Sequence, residues 1–227
     1  MEHPAGGVAP GRQLCYNGHK GDGAMGTLEA AHFYIDGEYG GNQDRLRDPL
    51  MRMGGCGALT ACDLCIDLAL HHGLTALYPG DSHKISRADY ARFTRMMKPY
   101  LHPRIQGINT TQLWMDGFSA YLQDRGEHRM TLTAMGQTNT PIEVAARAIA
   151  RQLEADLPVP FLLLRTDRPA LKDFNWHWFL LTACRGNGED MGVQTATYGE
   201  RQWFPLSHLW YTPYTPKGGA VLLELQK

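Results

Sequence analysis

The chain lacks an excess of charge of either sign. Its 227 residues carry 22 Lys and Arg against 23 Asp and Glu, a formal net charge of -1. A balanced chain offers no electrostatic footprint for a phosphate backbone or an anionic lipid surface, so neither nucleic acid nor a membrane is expected as partner. Long hydrophobic runs are missing too. The most apolar stretches, such as residues 161–164, have the length of a strand and fall short of the roughly 20 residues that span a bilayer. The first 30 residues are rich in glycine (Gly6, Gly7, Gly11, Gly18, Gly21, Gly23 and Gly26) and poor in apolar side chains, the reverse of an export signal. They are expected to form a flexible arm, with one domain over 31–227. Five cysteines make an odd, scattered set, which argues against a disulfide framework and for reduced thiols in a cytoplasmic protein.

What is there is organised in two halves. Between 56 and about 72 apolar residues cover most of a helical wheel, with Asp63, Asp67 and His71 read as a solvated edge. Ser86 followed by Asp89 announces a capped helix running to about 98. A third helix is expected over 110–123, and Thr140-Pro141 with Glu143 opens an amphipathic one ending near 157. Beyond it come short β-prone runs at 160–164, 176–184, 192–197, 201–204 and 220–225, separated by Gly, Pro and Asn. Helices first and an antiparallel sheet afterwards indicate an α+β domain with a cleft between the two parts.

One cysteine stands where chemistry is favoured. Cys56 opens the first helix directly after Gly54 and Gly55. Unpaired N–H groups at a helix start favour the thiolate, the glycines allow a tight turn, and the Cys56 amide can donate to an oxyanion. Alone, this pattern also fits a small buried cysteine. The second feature is His177 within Asn175-Trp176-His177-Trp178-Phe179, one polar ring among aromatic residues. A base remote in sequence and adjacent in space is what thiol catalysis requires.

Taken with their order along the chain, these segments resemble the papain-like cysteine peptidase superfamily, and within it the bacteriocin-leader-processing (double-glycine) peptidases and their stand-alone bacterial relatives. Gly55-Cys56-Gly57-Ala58-Leu59 is similar to the family's nucleophile segment, with Ala58 in place of the usual proline. Asn42-Gln43-Asp44-Arg45 resembles the segment whose glutamine donates to the oxyanion. The stretch from His177 to Thr182 resembles the histidine strand. Thr197-Tyr198-Gly199 falls where the family carries an Asp or Asn that orients the histidine. The resemblance implies a papain-like fold, a helical lobe whose nucleophile-bearing helix packs on a C-terminal antiparallel sheet, and hydrolysis of a peptide or protein substrate without cofactor or metal. It assigns Cys56, His177, Gln43 and Thr197 to catalysis, and Gly55, Trp176, Trp178 and Tyr198 to substrate binding. A threonine at 197 brings no charge, which points to a dyad, or to a peptide-binding module that keeps only the cleft. Deamidation and acyl transfer would use the same groups.

Other candidates are weaker. Cys62 and Cys65 form a Cys-x-x-Cys in mid-helix, where packing is the better reading than redox or zinc chemistry. The ten histidines show no ligand spacing. Trp203, Phe204, His208, Trp210, Tyr211 and Tyr214 leave two readings, a substrate groove or core.

Overall fold

The computed structural model of the protein describes residues 26–104 and 107–226. Most of the expected arm, residues 1–25, lies outside them, but its last residues are not an arm. Leu28–Glu29 (β1) pairs antiparallel with Cys184 and Ala183 of a later strand, and Ala30 is completely buried. Ordered structure therefore begins before the boundary drawn at residue 30. A small hairpin follows, Tyr34–Ile35 (β2) against Glu38–Tyr39 (β3). Helices come next: Pro49–Gly54 (α1), Cys56–His71 (α2), Arg87–Met97 (α3) and Thr111–Asp124 (α4). The second half contains Met130–Gly136 (β4), Ile142–Glu154 (α5), Val159–Leu163 (β5), His177–Arg185 (β6), Gly192–Thr197 (β7), Glu200–Pro205 (β8), Leu206–Trp210 (α6) and Gly219–Leu225 (β9).

Six strands form one antiparallel path in the order β4-β9-β5-β6-β7-β8, and β1 continues beside β6 where β5 leaves off. The fold is α+β, as expected. Its sheet is covered on both faces, which explains why every residue of β5 and the first eight of β6 are buried. Along β6, Trp178 and Leu180 join the core built by α2, α3 and α4, whereas Phe179 and Leu181 join a second core with α5 and α6. Of the aromatic cluster around Trp210, Trp210 itself and Phe204 join that second core, Trp210 being 1% exposed with its ring 6.1 Å from Phe161, whereas Tyr211 is 49% exposed.

Local signals explain the helix starts. Ser86 and Asp89 form a reciprocal capping box, and Thr110 accepts the Leu113 N–H at 3.1 Å. At α5 the cap differs from expectation. Pro141 takes that position with no side-chain cap, and the Thr140 carbonyl accepts the indole N–H of Trp210 instead. Between α1 and α2 the chain turns at Gly55, where a Cβ would collide with the Met51 carbonyl. Only glycine allows that approach.

Helix α2 is the central element, with all its residues from Cys56 to Ala69 buried. Its Asp63 and Asp67 are 5% and 1% exposed, so the solvated edge read from their spacing is not one. Both carboxylates have found partners inside the protein. Burial this complete makes truncation costly: Leu64→Ala, at a fully buried position, should lower unfolding free energy by about 2–5 kcal/mol in urea titration. A loss under about 1 kcal/mol would contradict the packing described.

Candidate active site

Gly41, Gln43, Cys56, Leu59, Thr60, Asp63, His177, Trp178, Ala196, Thr197 and Tyr198 line one pocket at the end of the sheet. Its volume is about 10 Å³, enough for about one water. Four catalytic candidates drawn from sequence positions 43, 56, 177 and 197 thus converge. Helix α2 delivers Cys56, the 3-10 turn Gln43–Arg45 delivers Gln43, the first residue of β6 is His177, and the last of β7 is Thr197.

The Cys56 thiol lies beside the backbone that flanks His177, its sulfur 3.9 Å from the Trp176 carbonyl oxygen. The hydrogen bonds found among the described residues include none between Cys56 and the His177 ring. Burial pushes the Cys56 thiol above its ordinary value, and backbone N–H groups of Trp178, Gly57 and Cys56 itself pull it partway back. The thiolate expected from a helix start is therefore not the resting form, because desolvation outweighs the helix-start donors.

His177 is 4% exposed, and burial alone brings its pKa down to about 4. Its Nε2 lies 2.7 Å from the Thr197 hydroxyl. With the proton on Nε2, the threonine accepts and Nδ1 keeps a free lone pair. Thr197 thus contacts the ring it was expected to meet. Asn175, two residues before His177, is engaged elsewhere, accepting from the Thr166 N–H at 2.9 Å and donating to the Lys172 carbonyl.

Gln43 is 7% exposed and donates one N–H to the Arg52 carbonyl at 2.6 Å, while its Oε1 is buried with no partner among the described residues. The amide has a second N–H to offer. Of the expected substrate contacts, Trp176 is 45% exposed, in a left-handed conformation with φ 55°. Tyr198 is in the pocket wall, also left-handed, its ring stacked on His177. Trp178 requires correction. Its ring is 1% exposed, stacked on Trp114 at 5.2 Å and bonded to the Ile108 carbonyl, so it packs the core while its backbone serves the pocket. Gly55 acts at the α1–α2 turn.

Asp63 is the pocket residue that sequence reasoning missed. Its carboxylate accepts from the Gly41 N–H at 3.0 Å and the Tyr90 hydroxyl at 2.6 Å, and burial raises it to about 6. One turn on, Asp67 binds His32 Nδ1 at 2.6 Å, both side chains being at most 1% exposed. Burial pulls the His32 imidazole down, but Asp67, with Asp63 adding, outweighs it and leaves it above its ordinary value. A Cβ on Gly40 would press against His32 and Asp63, and one on Gly41 against the Tyr90 hydroxyl. The polar cluster therefore clamps the glycine pair that leads to Gln43.

Cys62 and Cys65 are fully buried in mid-α2, with thiols held well above their ordinary values by desolvation. Cys15 lies outside the described residues. Among the described residues no three His, Cys, Asp or Glu side chains are grouped as a metal site, and no helix is long and apolar enough to cross a membrane. Compared with protein-family models, with curated proteins and with solved structures, the chain gives no match.

The depressed His177 pKa couples to stability. Between about 4 and 6.5 the unfolded chain binds a proton that the folded one refuses, so this contribution is complete above pH 6.5 and declines as pH falls toward 4. The expected loss is about 3 kcal/mol. Urea unfolding of the wild type and of His177→Phe across this range isolates it, since Asp63, whose raised pKa acts in the opposite sense, is common to both. The variant should show the shallower acid decline. Equal declines would refute the assignment.

Proposed function

We propose that the protein is a thiol-dependent amide hydrolase of papain-like type, most simply a peptidase, using Cys56 as nucleophile and His177 as base. The observation that carries this reading is the convergence of Cys56, His177, Gln43 and Thr197, distant in sequence, on one pocket. The Cys56 S–H proton passes to His177 Nδ1 as sulfur bonds to the substrate carbonyl carbon, and the carbonyl electron pair moves onto oxygen. The Cys56 backbone N–H, at the start of α2, and the second Gln43 amide N–H are the donors for that oxyanion. Collapse breaks the C–N bond, and His177 returns the proton to the departing nitrogen. Water then attacks the thioester with His177 taking its proton, the C–S bond breaks, and the thiol is restored. For the proton to transfer, the thiol rotates from the Trp176 carbonyl toward the imidazole, a tightening that ligand binding commonly brings.

Because the resting pair is neutral, catalysis requires the unprotonated imidazole, and the acidic limb of kcat/KM should follow His177, with its midpoint near 4. A midpoint near the ordinary histidine value would refute the lowering of His177 by burial.

A second reading has a specific observation behind it: the raised thiol faces a backbone carbonyl, and among the described residues His177 is bonded to a hydroxyl and not to a carboxylate. This favours a peptide-binding module that keeps the cleft without turnover. Mass spectrometry of a peptide library incubated with the protein separates the readings. Hydrolysis that disappears in Cys56→Ala and His177→Ala, and falls about 10²–10³-fold in Gln43→Ala, supports the peptidase. A gain of about one mass unit, or new crosslinks, assigns the same acyl-enzyme to deamidation or acyl transfer. Retention of peptides without any product, equal in wild type and Cys56→Ala, establishes the binding module.

A further inference from the structure

His177 lies in a cage of rings. Tyr198 stacks on it with centroids 4.6 Å apart and planes 4° from parallel, Phe179 stacks at 6.2 Å, and Phe174 presents its edge at 6.1 Å. Its polar contacts among the described residues are the Thr197 hydroxyl at Nε2 and the Tyr198 hydroxyl, 3.4 Å from Nδ1. The second contact is not a hydrogen bond of useful strength. Two rings that are parallel and this close overlap face to face, so the Tyr198 oxygen sits above the imidazole plane, away from the in-plane lone pair of Nδ1. That lone pair is left without a strong partner among the described residues. The ring itself is therefore the feature of Tyr198 that addresses His177.

We propose that Tyr198 is a positioning residue that holds His177 flat and, through the negative face of its ring, stabilises the imidazolium form in place of a carboxylate. The centroid separation falls within the reach of cation–π attraction, and the surroundings are dry, where that attraction is largest. The backbone supports a dedicated placement. Tyr198 adopts φ 54°, a left-handed conformation unfavourable to a residue of this size, and Gly199 follows at φ 75°, pressed against Glu38. Such strain at the turn after β7 is what brings the ring over His177. The hydroxyl is not needed for this role, and burial keeps it protonated, with its pKa pushed up to about 12.

The titratable groups around the pair are few. Cys56 faces them from α2, Asp63 lines the same pocket, and Asp44 and Asp173 act on Tyr198 from the two neighbouring 3-10 turns. All are unchanged when only the ring at 198 is altered.

The inference rests on the proposed role of His177, but it can be tested without turnover. Protein labelled with ¹⁵N-histidine is titrated by NMR, with His177→Gln used to assign the resonance. The series comprises wild type, Tyr198→Phe, and Phe analogues at 198 with one, two and three ring fluorines, which drain the ring face while barely changing its size. Tyr198→Phe should keep the His177 midpoint near that of the wild type, and successive fluorines should lower it stepwise by about half a pH unit in all. An unchanged midpoint across the fluorinated series overturns the proposal, as does a shift in Tyr198→Phe as large as that of the full series. Tyr198→Leu, which keeps bulk without a ring, should also titrate lower than wild type. The stepwise trend without peptide hydrolysis would leave this inference standing and remove the peptidase reading, so the two fail separately.

Discussion

Burying α2 on every side obliges its two carboxylates to find partners, and those partners build the pocket. Asp63 takes the Gly41 N–H and the Tyr90 hydroxyl, and Asp67 takes His32. An ionised carboxyl left alone in such surroundings would cost several kcal/mol. The chain from His32 to Gln43 is consequently fastened to the helix that carries Cys56, seven residues before Asp63. Nothing larger than hydrogen fits at Gly41, because Tyr90 has already been drawn to the same carboxylate. The helix thus carries Cys56 and, about two and three turns along, fastens the loop that holds Gln43.

Much of this was legible in the sequence, and the exceptions share a cause. The run of Ala, Leu, Ile and Cys after Cys56 announced a buried helix, and Ser86 with Asp89 announced a capped one. The β-prone run over 176–184 announced β6 as a strand, though only coordinates tell which residue meets which core. Asp63 and Asp67 were misread because a four-residue polar spacing looks the same whether the partner is water or a histidine contributed by another segment. His32 carried no signal of its own, lying next to a glycine-rich stretch. Met130–Gly136 was missed as a strand because its outward residues are threonines and its apolar ones are mostly half-exposed at the sheet edge. Cys56, His177, Gln43 and Thr197 were singled out through their order and chemistry, and they line one pocket. Tyr198 was also singled out, but its contact is with the His177 ring, a relation that depends on the left-handed turn and leaves no trace in residue order.

The electrostatics of the pocket follow from one fact, the removal of water. It raises Cys56 and lowers His177, so both shifts disfavour the separated charges that a thiolate–imidazolium pair would require. A charged orienter would have offset that cost, and the pocket has a hydroxyl at this position instead. What remains in favour of charge is fixed and short-ranged: three backbone N–H groups toward the sulfur, and the faces of Tyr198 and Phe179 toward the imidazole.

These supports are weak against bulk water and effective only where water is excluded. The same desolvation that keeps the resting pair neutral therefore strengthens each dipole and each ring face once charge develops. Because they are built into backbone and packed aromatic rings, they need no reorganisation when the proton moves. A site of this kind stays unreactive while empty, since the thiol rests protonated against the Trp176 carbonyl. On the proposed reading, a bound carbonyl group gives the sulfur an acceptor carbon and the N–H groups an oxygen to hold, so that separation of charge and formation of the C–S bond become favourable together.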